Sequence, residues 1–254
     1  MRQETTRQIQ TLIESKIREK LRDYAAESEY KPFFEAIFSK SVIVQASIMQ
    51  SLYTTFGMSM YEQIAELLGD GRKGCVMERQ HQLVGSVDAA TLSLIEDICG
   101  KSIGVHSKEQ EVEMIRQSIQ PSAATVTHAD ATVDVFLRCA DCEIYVDITT
   151  VKPNKKEARV LRHKMLIWTA LRLSQKKNSH PETYIGIPYN PYYPDSYSRK
   201  FVLDNCHRSE LLVQEELWTK FAGEDVFQEL LGVFKNVGQN MRAEIDEFLG
   251  RDRG

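Results

Sequence analysis

Two carboxylates stand inside consecutive apolar segments of this chain, and this pattern constrains the fold more than any other feature. Residues 133–138 read Val-Asp-Val-Phe-Leu-Arg, and residues 143–152 read Glu-Ile-Tyr-Val-Asp-Ile-Thr-Thr-Val-Lys. Both segments are rich in the β-branched and aromatic residues that favour strands, and a short polar turn separates them. The sequence therefore predicts a hairpin with Asp134 and Asp147 on neighbouring strands and Lys152 close behind.

The acid pair calls for a counterpart, because a charge inside an apolar strand is costly unless it is paired or binds a metal. Two carboxylates without His or Cys nearby favour a hard ion such as Mg²⁺, which takes its remaining ligands from water and substrate phosphate. With a lysine to share the charge that develops on the phosphate oxygens, this set suits phosphodiester hydrolysis. The alternative is a plain hairpin whose Asp134 and Asp147 face solvent.

A strongly basic segment follows the second strand. Residues 152–177 carry nine lysines and arginines against a single acid, Glu157. We predict a helix from about Lys155 to Gln175 whose basic face adjoins the acid pair. That face either contacts DNA phosphates or is an ordinary solvated surface. The residues that we assign to phosphate contact are Lys155, Lys156, Arg159 and Arg162.

A proline-rich loop comes after a short predicted strand at residues 183–187. Residues 188–194 read Pro-Tyr-Asn-Pro-Tyr-Tyr-Pro, and three prolines exclude regular structure there. The tyrosines and asparagine suit contacts to phosphates and base edges, although a rigid packed loop with aromatic anchors is the alternative. The residues that we assign to DNA in this region are Tyr189, Asn190, Tyr192, Arg199 and Lys200.

The composition favours one elaborated domain over residues 1–254, with a net charge of −4 that hides the local basic block. We expect helical parts over about 1–70 and 205–250 and a core of sheet and basic helix over about 125–190. The five cysteines are odd in number and unpatterned, which favours free thiols in a reducing, cytoplasmic setting. The longest apolar run, Met165–Leu171, is too short to cross a bilayer.

Two features of the N-terminal part carry expectations of their own. The cluster Phe33-Phe34-x-x-Ile37-Phe38 predicts the start of a buried helix. Ser59 is a candidate N-cap of the next helix, and Glu62 stands at its capping-box position.

Several segments together resemble a known family. The hairpin resembles the core of PD-(D/E)XK nucleases. More specifically, four blocks that run in order resemble type II restriction endonucleases of the TdeIII kind. They are Ser-Met-Tyr-Glu-Gln-Ile-Ala at 59–65, Asp-Ile-Thr-Thr-Val-Lys-Pro-Asn at 147–154, Ile-Pro-Tyr-Asn-Pro-Tyr at 187–192 and Leu-Val-x-x-Glu-x-Trp at 212–218.

The resemblance implies an α/β fold of the α+β kind, with a central mixed sheet flanked by helices. It also implies Mg²⁺-dependent, sequence-specific cleavage of double-stranded DNA by a prokaryotic homodimer, together with a companion DNA methyltransferase. Asp134 matches the first metal-binding acid and Asp147 the second. Glu62 matches an acid that some nucleases of this superfamily bring to the metal from an earlier helix.

The chain departs from the family pattern at the lysine. The pattern places Lys two residues after the second acid, and Thr149 stands there. Lys152 is the nearest replacement if the strand ends early, and Lys155 or Lys156 could reach in from the following helix. A catalytically inactive DNA-binding protein on a nuclease fold is therefore the main alternative function, and a repair nuclease acting on structured DNA is a third.

Overall fold

The fold is built on a mixed sheet in the order β1-β2-β3-β4-β5. The structure is a computed structural model that describes residues 1–23, 31–55, 59–70, 72–120, 128–140 and 142–250. The first two pairings of the sheet are antiparallel and the last two are parallel. The strands are β1 (Val76–Gln82), β2 (Thr132–Arg138), β3 (Glu143–Ile148), β4 (Pro181–Ile187) and β5 (Leu211–Val213).

Helices surround this sheet on both sides. In chain order they are α1 (Gln3–Asp23), α2 (Pro32–Glu35), α3 (Lys40–Thr55), α4 (Tyr61–Gly69), α5 (Ala89–Gly100), α6 (Lys108–Ser118), α7 (Lys155–Gln175), α8 (Lys200–Leu203), α9 (Glu215–Ala222), α10 (Phe227–Asn240) and α11 (Arg242–Gly250). None of the helices in these described ranges is both long and apolar enough to cross a membrane.

The predicted hairpin and basic helix are confirmed. Strands β2 and β3 pair antiparallel, and α7 begins and ends at the predicted residues. Asn154 caps α7 by accepting hydrogen bonds from the backbone N–H groups of Lys156 and Glu157. Because β3 and β4 are parallel, the chain must cross the sheet between them, and α7 makes that crossing.

Two apolar cores lie on opposite faces of the sheet. One contains Phe136, Tyr145 and Trp168 with the inner faces of α5, α6 and α7. The other contains Val146 and Trp218 with α1, α4, α9 and α10. The predicted class, a mixed sheet flanked by helices with helical N- and C-terminal segments, is therefore confirmed.

Two strands escaped the sequence-based prediction. Strand β1 was not predicted, because its residues Val-Met-Glu-Arg-Gln-His-Gln are mostly polar and lack the alternation of a half-buried strand. Strand β5 has only three residues and lies inside a segment with a helical pattern. Both strands take their conformation from pairing with neighbours, which a local pattern does not record.

Two expectations about the N-terminal part are wrong. Phe33 is 83% exposed and Ile37 is 73% exposed, so the aromatic cluster does not enter the core. Helix α4 begins at Tyr61, after Met60, and no side chain caps it. Ser59 is therefore not the N-cap, and Glu62 does not take the capping-box role.

The cysteines are not all free. Cys75 and Cys139 form a disulfide whose Cα atoms are 4.2 Å apart. The register explains the pair, since Val76 lies opposite Arg138 and the next residues outward are the two cysteines. Cys142 is free, so Cys139 and Cys142, which are three residues apart, do not bond to each other.

Arg162 lies in a buried ion pair and not on the exposed basic face. Its guanidinium donates to Glu111 Oε1 at 2.5 Å and to the carbonyl of Asn205 at 3.0 Å. The two paired side chains are only 4% and 2% exposed, and His207 lies 3.2 Å from the same carboxylate. Arg162 is therefore not part of the exposed basic face to which the sequence assigned it, because two turns into α7 this side of the helix already packs against α6.

We expect Arg162→Ala to lower the free energy of unfolding by about 3–5 kcal/mol, because it leaves the Glu111 carboxylate buried without its main partner. Lys155→Ala, at an exposed position of the same helix, should change it by less than about 0.5 kcal/mol. Urea denaturation measures both values. Equal effects of the two substitutions would contradict the structural role of Arg162.

Candidate active site

Asp134 and Asp147 face each other across the hairpin. The β2–β3 register pairs Val135 with Val146, so the next pair outward is the two aspartates. Asp134 Oδ2 accepts a hydrogen bond from the backbone N–H of Ile148 at 2.9 Å. Burial, followed by repulsion from Asp147, raises the pKa of Asp134 well above the usual carboxyl range. The fold thus holds two acids together at an electrostatic cost.

A lysine from α7 meets this pair. Lys164 Nζ donates a hydrogen bond to Asp147 Oδ2 and forms an ion pair with it. Burial lowers the pKa of Lys164, but the attraction of Asp147 outweighs that effect, and the pKa is raised. The ammonium also lies 5.1 Å from the centre of the Trp168 ring, which helps to hold it in place.

Glu62 reaches the same cluster from α4, in the opposite helical layer. Its side chain is 5% exposed, and its Oε2 accepts a hydrogen bond from Gln80 Nε2 at 2.9 Å. Burial raises the pKa of Glu62, and it interacts electrostatically with both Asp147 and Lys164. The structure therefore brings the three predicted acids together.

Gln80 holds Glu62 from an unusual backbone position. Its φ is +49°, in the left-handed region that residues other than glycine rarely adopt. Arg79 pairs with Val135 and His81 with Val133, so Gln80 lies opposite Asp134 in the interrupted ladder. Backbone strain of this kind costs about 1–3 kcal/mol and is typical of functional sites.

Among the described residues, no three His, Cys, Asp or Glu side chains are arranged as ligands of one metal ion. Lys164 is paired with Asp147 in this arrangement, and its ammonium neutralises one of the clustered carboxylates. The donors that could take a cation are the oxygens of Asp134, Asp147 and Glu62. Such an oxygen-only set suits a hard divalent ion.

Comparison with known families agrees with this geometry. The family described as "Type II restriction endonuclease, HinfI" matches residues 1–238 of the chain. The chain belongs to this HinfI family. The expectation of a type II restriction endonuclease family, drawn from the four sequence blocks, is confirmed at that level.

Curated relatives carry related names. The chain is 26% identical over 201 residues to the type II restriction enzyme MjaII of Methanocaldococcus jannaschii, covering 74% of this chain and 53% of that protein. It therefore spans about half the length of MjaII. It is 23% identical over 236 residues to the type II restriction enzyme HgiEI of Herpetosiphon aurantiacus, covering 88% of this chain and 82% of that enzyme. No solved structure matches this chain.

Lys152 is not the lysine that meets the acids. Strand β3 ends at Ile148, and Thr149 donates its backbone N–H to the carbonyl of Gly186. The exposed Lys152 lies 5.5 Å from the centre of the Tyr192 ring. In this HinfI-family chain the position two residues after Asp147 thus holds no cation, and the nearest ammonium comes from the crossing helix.

The sequence held a signal for Lys164. Leu161, Lys164 and Trp168 are spaced by three and four residues, so they share one side of α7. Leu161 and Trp168 are buried, and Lys164 is therefore a lysine on the core-facing side. A charged residue at such a position is expected to have a buried partner. Spacing alone did not identify Asp147 as that partner.

The proline-rich loop is ordered by its own polar groups. Asn190 Oδ1 accepts from the backbone N–H of Tyr192 at 3.0 Å, and Asn190 Nδ2 donates to the carbonyl of Asp195 at 2.7 Å. The rings of Tyr192 and Tyr197 meet edge to face. Asn190 is thus engaged in shaping the loop, which is the packing role that the sequence left open.

The other residues assigned to DNA fall into two groups, one half-buried residue and several exposed ones. Arg199 is half-buried, with its Nε donating to the carbonyl of Pro153 at 2.9 Å. The residues whose side chains are exposed are Lys155, Lys156, Arg159, Tyr189 and Lys200.

We expect Asp134→Asn to raise stability most at high pH. The pKa of Asp134 is raised in the folded protein above its ordinary value of about 3.9. The free energy of unfolding of the parent is therefore greatest at low pH, and it falls as the pH rises because folding then holds an ionised carboxylate in a buried site. Asparagine has no proton to lose and can still accept from Ile148. Urea denaturation across pH 4–8 should show the variant gaining on the order of 1 kcal/mol over the parent.

The matched control is Asp195→Asn at an exposed aspartate, which should track the parent at every pH. A stability difference for Asp134→Asn that does not change with pH would contradict the electrostatic origin of the cost.

Proposed function

We propose that this chain is a type II restriction endonuclease that hydrolyses DNA phosphodiester bonds at a specific sequence, with Mg²⁺ as cofactor. The observation that carries the proposal is the meeting of Asp134, Asp147 and Lys164 in a chain of the HinfI family. The names of MjaII and HgiEI, both type II restriction enzymes, support it. The PD-(D/E)XK character of the core and a closer kinship with the TdeIII kind belong to the same proposal.

The donor set fits a divalent cation. Asp134 and Asp147 repel each other in a buried setting, and Glu62 adds a third carboxylate. A cation would lower that repulsion, and oxygen donors are the ligands that Mg²⁺ prefers. Mg²⁺ would supply activation of the attacking water and part of the charge neutralisation at phosphorus.

Lys164 takes the role of the missing strand lysine in this proposal. Its ammonium lies at Asp147 and is held over Trp168, so it is fixed where charge would develop on the phosphate oxygens. The main argument for an inactive DNA-binding protein was the absence of a lysine at Thr149. A lysine delivered from α7 weakens that argument.

A contiguous surface beside the acids suits DNA. Tyr197 donates its hydroxyl to the carbonyl of Val151, and Arg199 donates to that of Pro153, so the loop is tied to the turn before α7. The exposed start of α7 carries Lys155, Lys156 and Arg159. We call the loop 188–199 and these three cations the DNA surface; the cations suit phosphates and the loop suits base edges.

Two catalytic centres are the simplest way to cut both strands of a duplex in one binding event. In the described part of the chain we find one cluster that combines these acids with a lysine, so we propose a homodimer in which each copy cuts one strand. A companion DNA methyltransferase that protects the host sequence, and action in the prokaryotic cytoplasm, are part of the same proposal.

Incubation with plasmid DNA and Mg²⁺, with EDTA as the control, tests the proposed function. Discrete fragments that disappear with EDTA are the expected result, and Asp147→Asn should abolish them while the protein remains folded. Smeared products would indicate a nonspecific nuclease. Intact DNA with a gel shift would favour the inactive binder.

We expect Lys164→Ala to lower the cleavage rate by about 10²-fold or more, the scale for losing one preorganised electrostatic donor. Lys152→Ala should change the rate by less than about threefold, because that exposed cation lies over the Tyr192 ring. Single-turnover rates on a cognate fragment separate the two variants. The reverse order of effects would assign the role to Lys152.

Neutralisation of Lys155 and Arg159 together should weaken binding to every DNA sequence. The slope of log K against log salt should fall by about two, because each of the two cations neutralises one phosphate. The matched control is Lys101→Gln with Lys235→Gln, two exposed lysines outside the DNA surface, and it should leave the slope unchanged. Binding is measured in Ca²⁺ over a salt series. An unchanged slope for the Lys155 and Arg159 variant would show that these two cations do not contact phosphate.

A further inference from the structure

The N-terminal arm formed by α2 and α3 exposes an unusual amount of apolar surface. Phe33 is 83% exposed, Phe34 59% and Ile37 73%, and they precede α3 or lie in α2. Val42, Met49 and Tyr53 on α3 are 48%, 47% and 61% exposed. We call these six residues the apolar arm face. Six large exposed apolar side chains on two successive helices and the turn between them are uncommon on a monomer and point to an interaction site.

Helix α3 is apolar on two sides. Ile48 is buried, and Val44 and Leu52 on the same side are half-buried, so this side faces the rest of the chain. Val42, Met49 and Tyr53 are separated by seven and four residues and share the other side. A surface helix normally carries polar residues on its outer side, and a helix that is apolar all round is a buried one. The outer side of α3 therefore has the composition of an interface.

The charge of the arm argues against DNA as its partner. Residues 31–55 contain only Lys31, Glu35 and Lys40 as charged residues. DNA binding draws mainly on lysine and arginine contacts to phosphate, and this face offers almost none. A self-complementary apolar surface, in contrast, suits the same surface on a second copy across a two-fold axis.

The exposed area matches what a stable dimer buries. With roughly 200 Å² for each of the three aromatic side chains and somewhat less for the three aliphatic ones, the exposed fractions amount to on the order of 700 Å². A standard interface buries about 800 Å² on each partner. We propose that the apolar arm face is the interface between two copies of this chain. This inference rests on the proposed function, which calls for two catalytic centres on one duplex.

Charge substitutions on α3 test the interface. Val42→Glu with Met49→Glu, and separately Val42→Lys with Met49→Lys, place like charges on both copies and should each weaken dimerisation at least 100-fold. An equimolar mixture of the two variants should recover the dimer, because opposite charges then meet. Val84→Glu with Val105→Glu, at exposed valines elsewhere, should remain dimeric.

Sedimentation equilibrium at micromolar protein measures the association, and melting curves show that each variant is folded. A parent protein that is monomeric, or dimers that persist in both charged variants, would overturn the proposal. Cleavage is measured separately. A parent that dimerises through this face but leaves cognate DNA intact supports the interface and defeats the proposed function instead.

Discussion

The ion pair between Asp147 and Lys164 is the interaction on which the site depends. The hairpin register sets Asp134 against Asp147 inside a largely apolar sheet, and burial makes that arrangement costly. The ammonium from α7 offsets part of this cost, and the backbone N–H of Ile148 offsets a further part. Because α7 is also the crossover between β3 and β4, the connection that builds the parallel half of the sheet delivers the cation.

Strain and polarity concentrate at the same end of the sheet. Gln80 has a left-handed φ and interrupts the pairing of β1 with β2 opposite Asp134. Its side chain donates a hydrogen bond to Glu62, so this interruption holds an acid that comes from α4. A sheet selected for stability alone would place an apolar residue in extended conformation there. The surrounding cores supply the stability that maintains this conformation.

Sequence reasoning was accurate where one local pattern decides the outcome. The β-branched and aromatic content of two neighbouring segments identified the β2–β3 hairpin, and the helical spacing of the basic segment gave α7 its bounds. It was inaccurate where the partner is distant in the chain. The sequence placed Arg162 on the exposed basic face, but in the fold it pairs with Glu111 of α6. Lys164 was one of nine basic residues in its segment, and only the fold shows that it pairs with Asp147. Charge in a sequence shows that a partner is needed and does not name it.

The aromatic cluster near Phe33 is a different kind of error. Its composition is that of a buried helix, and the expectation of burial was physically sound, yet the single chain leaves it exposed. The expected burial and the observed exposure agree if a second copy of the chain covers this surface in the proposed dimer. The hydrophobic pattern then reflects burial in the dimer, and the second copy covers α2 and α3 in the same way that α6 provides a partner for Arg162. In both cases the local sequence gives the requirement, and a remote surface fulfils it.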